Sequence, residues 1–565
     1  MNEQAFNLVE EAWIRVMLPD CSVQEVSLMD ALVNAHQYKG LAGEMEAQNI
    51  AVLRLLIAIT HTVFTRVDLQ GNEDAVEDTA SAMKRWKALM QNGFLPEEPI
   101  RKYFSDWHER FWLIHPKNPF YQVPRAKIGT KNTAAKLNGE VSESNHKARL
   151  FSCLSGTGRQ GMTFSEGARW LLFLNGFDDC AAKQIDSDSG SRSMTIAWLG
   201  KLGLVMAVGS NLYETILLNM PMLQEDGSIW SEDDQPVWEL DYPCDEERRT
   251  IPMPRDLASL YTLQSRRILL ITEGDKVTGY KILGGDAFSE QNALSEPMTL
   301  WRFVEDKKTK ASYYRPKLHE RSRQIWRDFG ALVNVEEDRK RPGVVSWCTK
   351  LKIEGVLPYD HLITFRIVSV RYDSNMYSSI TDSFSDSLSF HSNLLTDAGT
   401  EWIRAVNREI QLVNNVAVEV GNLAANLVKA CAQCEEKCRE RKKECGQRED
   451  HFCASVKAAK EQFYLSVDLP FRDWLLKMDS EQDSDERNQL INEWQETAKR
   501  IALCFGRQLV DEKGEVAFIG RTVTEKESKK EQKKRHYSSP EAYNWFRSRL
   551  SDIYPNEKEG NEQNG

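Results

Sequence analysis

The stretch "EAQNIAVLRLLIAITHTVFTRV", from Glu46 to Val67, sets the strongest constraint on how this chain folds. Its period is helical, and apolar residues occupy nearly every face. A helix that is apolar all round must be buried. Its densest run, "IAVLRLLIAIT", is broken by Arg54, so no stretch approaches the length expected of a bilayer-spanning helix. Enough protein must therefore fold around this helix to enclose it. The chain has 565 residues, 41% of them hydrophobic, which calls for two or more domains.

The formal net charge is −11. That balance argues against indiscriminate coating of nucleic acid but leaves room for local basic patches. The N-terminus "MNEQAFNLVEEAW" has neither a basic nor an apolar signal region, so a cytoplasmic protein is expected, with no membrane partner. Its 11 cysteines are then expected as thiols.

Along the chain, "FNLVEEAWIRV" reads as a strand-like run and "VQEVSL" as its hairpin partner after a turn at Leu18 to Ser22. Ser27 is placed to cap a helix. "MKRWKALMQNG" reads as a helix stopped by Gly93, and "RRILLITE" with "VTGYKILGG" as paired strands turning near Glu273 to Asp275. Ile363 to Tyr372 reads as a strong strand. From Asp397 onward, four helical units replace the mixed pattern. The expected fold class is α+β: a mixed N-terminal domain, 1–395, followed by an antiparallel four-helix bundle, 396–555. A polar tail, 556–565, is expected to be disordered.

Several motifs invite chemistry. Gly156-x-Gly158-x-x-Gly161 has dinucleotide-loop spacing, but Thr163 to Glu166 separate it from the next helix and no run of βαβ units follows, so a flexible turn is the better reading. Cys431, Cys434, Cys438, Cys445 and Cys453 suggest zinc, yet their spacing also makes a helical stripe. No zincin motif, P-loop or nucleophile elbow is present. Two basic runs, Lys526 to His536 and the aromatic-rich Glu305 to Arg327, are either solvated surfaces or contacts to phosphate. The stretch "AKIGTKNTAAKLNGEVSESNHKARLF", Ala126 to Phe151, is polar and locally basic, with little that could enter a core.

The ordered set "FNLVEEAWIRV", "EVSLMDAL", "NPFYQV", "ARLF", "GARWLLF", "WLGKLG", "NLYETILLNM", "EPMTLWR", "FYLSVDLPFRDWL", "AFIGR" and "WFRSRL" resembles the CasA family, the large subunit of the type I-E CRISPR Cascade complex. The resemblance implies a noncatalytic subunit without cofactor. Its implied partners are the other Cascade subunits with CRISPR RNA, target double-stranded DNA, and the helicase-nuclease of the system. It implies recognition of the protospacer-adjacent motif, the PAM, from the minor groove. By position, the DNA-binding residues would be Gly190, Ser191 and Arg192 in the glycine-loop region. Lys281, Gly284 and Gly285 would act at a turn, and Ser374, Asn375 and Met376 at a strand-separating wedge. The Ala126–Phe151 stretch would be a docking loop for RNA or partner subunits. Its contacts would be Lys131, Asn132, Lys136, Asn145, Lys147, Arg149 and Phe151, and it would order only on assembly. Some family members carry zinc-binding cysteine pairs. Cys153, Cys180 and Cys244 show no such pairing, so no metal is expected here.

Overall fold

A computed structural model describes residues 4–138, 141–142, 147–148, 161–186, 190–230, 235–240, 251, 254–288, 292–306, 310–333, 340–358, 361–372, 380–431, 451–526 and 532–555. The chain forms two compact units. The first comprises Met1–Arg321, Ala331–Pro358 and Ile363–Leu388; the second comprises Ser322–Gly330, Tyr359–Leu362 and Ser389–Gly565.

The first unit opens differently from the single strand-like run expected. Ala5–Asn7 pairs with Trp112–Ile114, and a separate strand, Ile14–Met17, forms the hairpin with Val23–Val26. The intervening "LVEEAW" turns because Glu10 and Glu11 amides both return to the Asn7 carbonyl. Ser27 caps the next helix as expected, accepting from the Asp30 amide at 3.2 Å.

Helix α1, Glu46–Arg66, is the centre of this unit, with every residue from Ala47 to Phe64 buried. By length and composition it could cross a membrane, which corrects the expectation from sequence. Here it is enclosed by protein. Enclosure includes Arg54, which is 2% exposed and donates to both oxygens of Glu296 at 2.7 and 3.1 Å. The guanidinium also lies 3.9 Å over the Tyr261 ring, and Trp198 Nε1 donates to Glu296 at 3.3 Å. A buried charge is tolerable only with such full pairing.

The largest sheet of this unit is built from segments far apart in sequence. It contains β1 (Thr130–Thr133), β2 (Met162–Thr163), β3 (Ala182–Asp186), β4 (Gly190–Ser193), β5 (Arg266–Glu273) and β6 (Lys276–Gly284). β5 and β6 form the expected hairpin, with Gly274 at φ +61° in the turn. The region also holds helix α2, Phe164–Phe177, which begins directly after β2. Thr163 and Glu166 form a reciprocal capping box at its start. A three-stranded sheet contains Leu204–Val208, Leu362–Tyr372 and Ile380–His391, in that order.

The second unit is built on α3 (Thr400–Ala430), α4 (His451–Leu475), α5 (Ser484–Asp511) and α6 (Ser539–Ile553). α3 packs on each of the other three. Its buried Ile403, Val406, Ile410, Val413, Ala417, Val420, Ala424 and Leu427 alternate spacings of three and four, which makes one apolar seam. Phe471 of α4 and Trp474 meet Trp494 of α5 at ring distances of 5.2 and 5.3 Å. Gly506 lets α5 close on α6, since a Cβ there would lie 2.6 Å from Phe546 Cε1. The described part of the Lys526–His536 run is β-structure. Gln532–Tyr537 is a strand paired with Arg521–Lys526, and Tyr537 is buried with Ala430, Ala517 and Val523.

Candidate nucleic-acid interface

The two edges of β6 are built in opposite ways. One edge is a single antiparallel ladder to β5, with one bulge between Ile271 and Thr272. The other is filled in succession by β2 opposite Lys276–Val277, β1 opposite Gly279–Ile282, and β3 in parallel at Gln184–Leu283. The β1 register places Lys131 directly across from Lys281. Directly opposed side chains share a sheet face at about 5 Å, and like charges there are destabilising without an anion or another acceptor. Lys281 donates to the Lys127 carbonyl, while Lys131 and Lys127 are exposed. Three lysine positions therefore meet at one edge of a protein that is acidic overall.

This edge adjoins a buried charged knot that holds the β3–β4 hairpin. Lys183, inside β3, is 4% exposed; its Nζ lies 3.1 Å from Asp178 Oδ2 and 2.8 Å from Asp179 Oδ1. Arg266 of β5 binds Asp178 and donates to the Asp179 and Thr195 carbonyls, each at 2.8 Å. Burial opposes ionisation of Asp178, yet Lys183 and Arg266 hold its carboxyl below the usual range. Asp179 is pushed up, by burial and then by Asp178. Tyr372, the last described residue of its strand before 373–379, donates its hydroxyl to the Phe177 carbonyl at 2.7 Å. The hairpin Ala182–Ser193 and the strand leading into 373–379 are thus rooted at the C-terminal end of α2.

A family model described as CRISPR-associated protein Cse1 matches residues 7–504. The chain belongs to the Cse1 family. A CasA/Cse1 protein of Thermus thermophilus is 29% identical over 335 residues; the match covers 58% of this chain and 60%, less than two thirds, of that relative. Among solved structures, Cse1 of Thermobifida fusca is 27% identical, with a TM-score of 0.78 over 97% of this chain and 98% of its own. A chain of a CRISPR RNA-guided surveillance complex matches in fold, at 17% identity and a TM-score of 0.60, covering 90% of this chain and 99% of its own.

Within this Cse1 chain, the residues expected from sequence fall into three groups. Gly190, Ser191 and Arg192 lie on β4, where the register sets Arg192 opposite Lys183, Ser191 opposite Gln184 and Gly190 opposite Asp186. They form a strand edge of a hairpin rather than a free loop. Lys281 sits mid-strand, not in a turn. Gly284 ends β6 opposite Arg266, and both Gly284 and Gly285 are buried. A Cβ on Gly285 would collide with the Ser265 backbone, so this glycine is required for close chain approach. Ser374, Asn375 and Met376 lie outside the described residues.

The expected docking loop is partly core. Lys131 and Asn132 are in β1 and Lys136 is in a short helix, Ala134–Leu137. Ala126, Asn132, Ala134, Ala135 and Leu137 are buried, which corrects the expectation that this stretch cannot pack. Small alanines slip beneath a surface that the lysines make look wholly polar. Lys147 lies in a two-residue strand pair with Ser142, whereas Asn145, Arg149 and Phe151 lie outside the described residues. So do Gly156 and Gly158 of the glycine motif. Where that motif meets α2, the Glu166 carboxylate already accepts from the Thr163 amide at 2.9 Å, an unfavourable neighbour for a pyrophosphate. Cys431 caps α3 and packs against the Ala430–Tyr537 cluster; Cys434, Cys438 and Cys445 lie outside the described residues, and Cys453 is in α4. Among the described residues, no group of three or more His, Cys, Asp or Glu is arranged for a metal.

Sequence reasoning missed the knot of Asp178, Asp179, Lys183 and Arg266. Its signal was present in "DDC" ahead of an isolated Lys183 and in two arginines, Arg266 and Arg267, opening an otherwise apolar strand.

Proposed function

We propose that this chain is the noncatalytic recognition subunit of an RNA-guided CRISPR effector, and that it reads the PAM of double-stranded DNA through the minor groove. The observation that carries this reading is the juxtaposition of Lys127, Lys131 and Lys281 beside the β3–β4 hairpin, in a Cse1-family chain. Lysines at one sheet edge supply phosphate contacts, which position a duplex without reading it. At the hairpin edge, Gly190 presents backbone without a side chain, which suits approach to a groove about 6 Å wide. Residues 374–376, following Tyr372, are assigned the wedge that unstacks the first base step, after which guide pairing carries strand exchange forward. Lys281 would exchange the Lys127 carbonyl for a phosphate oxygen. Gly284 and Gly285 act as spacers within this reading. Residues 1–395 would carry recognition. The later helices, as an antiparallel bundle, would meet the displaced strand, the neighbouring subunits and the helicase-nuclease.

The test compares the assembled complex with and without this chain in band shifts on targets with and without the PAM. Lys131→Glu with Lys281→Glu is expected to weaken DNA binding at least ~10-fold and to flatten its salt dependence by about two counterions, with assembly intact. Arg192→Glu is expected to reduce discrimination between the targets. Persistence of PAM discrimination in the complex lacking this chain would refute the proposal. Normal binding by the lysine pair variant would remove the sheet edge from it.

A further inference from the structure

On the first unit, away from the lysine edge, lies a cavity of about 720 Å³ between the C-terminal half of α1 and the segment Glu97–Trp107. That volume is within the range of ligand sites. Aromatic Tyr103, Trp107 and Trp230 line it. At its inner wall stands His61, 1% exposed, with neither ring nitrogen hydrogen-bonded. Its nearest charged neighbour, Asp256 Oδ1, is 3.6 Å from Nδ1, beyond a hydrogen bond. Burial, and then Arg66, push the imidazole down to about 3, so it is neutral and offers one acceptor nitrogen. A buried histidine left this way is uncommon, because nearly all buried polar groups find a partner.

The charge of the wall narrows the chemistry. Glu73, Asp74, Asp106, Glu239 and Asp256 line the cavity against Arg66 and Lys102. Arg66 is already committed to both oxygens of Glu239, at 2.9 and 2.8 Å. Asp74 is likewise paired with Arg85. Exposed Glu73 and Asp106 remain at the rim. This surplus of carboxylate repels phosphate, so the cavity is not an extension of the DNA surface. A planar cation suits it best. Guanidinium stacks on indole and phenol faces, donates in its plane to carboxylates, and can also donate to a neutral imidazole nitrogen.

We propose that this cavity receives an arginine side chain carried on a peptide segment of a partner protein. One arginine does not fill the volume, and its flanking residues would lie against Trp107 and Trp230. The guanidinium would reach between the rim carboxylates toward His61 and Asp256.

Titration of the full chain tests this, followed by Trp fluorescence and by the ring resonances of His61. The probes are a blocked Gly-Arg-Gly tripeptide, its citrulline counterpart, agmatine and adenosine. Saturable binding of the arginine peptide is expected, with His61 shifts, and at least ~10-fold weaker binding of the citrulline peptide, which keeps the shape and loses the charge. Agmatine should also bind more weakly than the peptide. Glu73→Gln with Asp106→Asn, both at exposed positions, should weaken the peptide ~10-fold without altering the fold. A cavity holding only water would give no saturable binding and would overturn the proposal. Equal binding of the citrulline peptide, tighter binding of adenosine, or agmatine equal to the peptide would overturn it too, as would indifference to the rim double variant.

Discussion

The interiors of the two units are held by different chemistry. The first buries arginines at the junctions of its chain segments: Arg54 on Glu296, Arg169 on Glu25 and Glu44, Arg266 on Asp178, and Arg267 on Asp286. Arg54, Arg169 and Arg266 reach elements at least 88 residues away, whereas Arg267 closes the β5–β6 hairpin on Asp286, 19 residues on; each of the four arginines is 5% exposed or less. The second unit relies on a heptad-like seam and on rings packed about Trp494, Trp474 stacked and Phe471 edge-on. Apolar packing is non-directional and suits parallel stripes on long helices. A mosaic of short strands has few such stripes. Directional ion pairs can instead fix which short segment lies beside which, at a cost in desolvation. The contrast suggests that the first unit gives up some stability for exact placement of its hairpins.

The sharpest way to break this comparison is to delete one member of a pair in each unit. Arg54→Met leaves the buried Glu296 carboxylate without its counter-ion, and should cost about 3–5 kcal/mol. Arg54→Met with Glu296→Met should recover most of that loss. Phe471→Ala in the second unit opens a cavity against Trp326 and Trp494 and should cost a similar 3–5 kcal/mol. No second substitution of comparable simplicity restores it. Hydrogen exchange on α1 and on α4 reads each unit separately. A double Arg54 variant no more protected than the single one would show that the charges themselves are indispensable.

The same contrast governs how much the sequence discloses. α1, the β5–β6 hairpin and α3 to α6 are legible because apolar periodicity produces them and the same apolar side chains hold them. Ala182–Ser193 is opaque because its strands carry "AKQID" and "GSRS", and Lys183 is buried only through Asp178 and Asp179. Read locally, that composition is a polar linker. The motif residues of the family resemblance also prove largely internal: Glu296 of "EPMTLWR" accepts from both Trp198 of "WLGKLG" and Arg54, and Arg169 of "GARWLLF" binds Glu44. Their order identified the family while giving little about the interface, whose lysines come together only through the β1–β6 register.

Glu409 is the exception that sharpens the contrast, a lone carboxyl inside the second unit. It is 1% exposed, receives one hydrogen bond, from Gln495 at 2.8 Å, and keeps Oε2 without a partner. Burial raises its pKa from 4.5 to about 6. A raised folded-state value means that the protonated carboxyl favours folding. That contribution is complete below pH 4.5 and is lost as pH rises through 6. Glu409→Gln should therefore stabilise α3 by about 2 kcal/mol at pH 8 and leave it nearly unchanged at pH 4. Denaturant melts at the two pH values, followed by exchange of α3 amides, test the sign. A variant less stable at pH 8 would mean that the charged form has support from elsewhere.

The smallest expected effects come from two of the capping boxes, at Thr163 and Asp483, which share a hydrogen-bond pattern in unlike settings. Thr163 caps α2 while its backbone pairs with Lys276 in β6; Asp483 caps α5 from an exposed turn. Replacing either by Ala removes a side-chain acceptor for an orphan amide and should cost about 1 kcal/mol. The consequences should spread differently. At Asp483 only the first turn of α5 should fray, since its neighbours are solvent-facing. At Thr163 the cap also sets where β2 meets β6, so added exchange should extend along β6 toward Lys281. Fraying confined to α2 would mean that β1 and the charged knot hold that edge without help from β2. The lysine cluster would then be fixed by pairing with β1 and by the buried ion pairs alone.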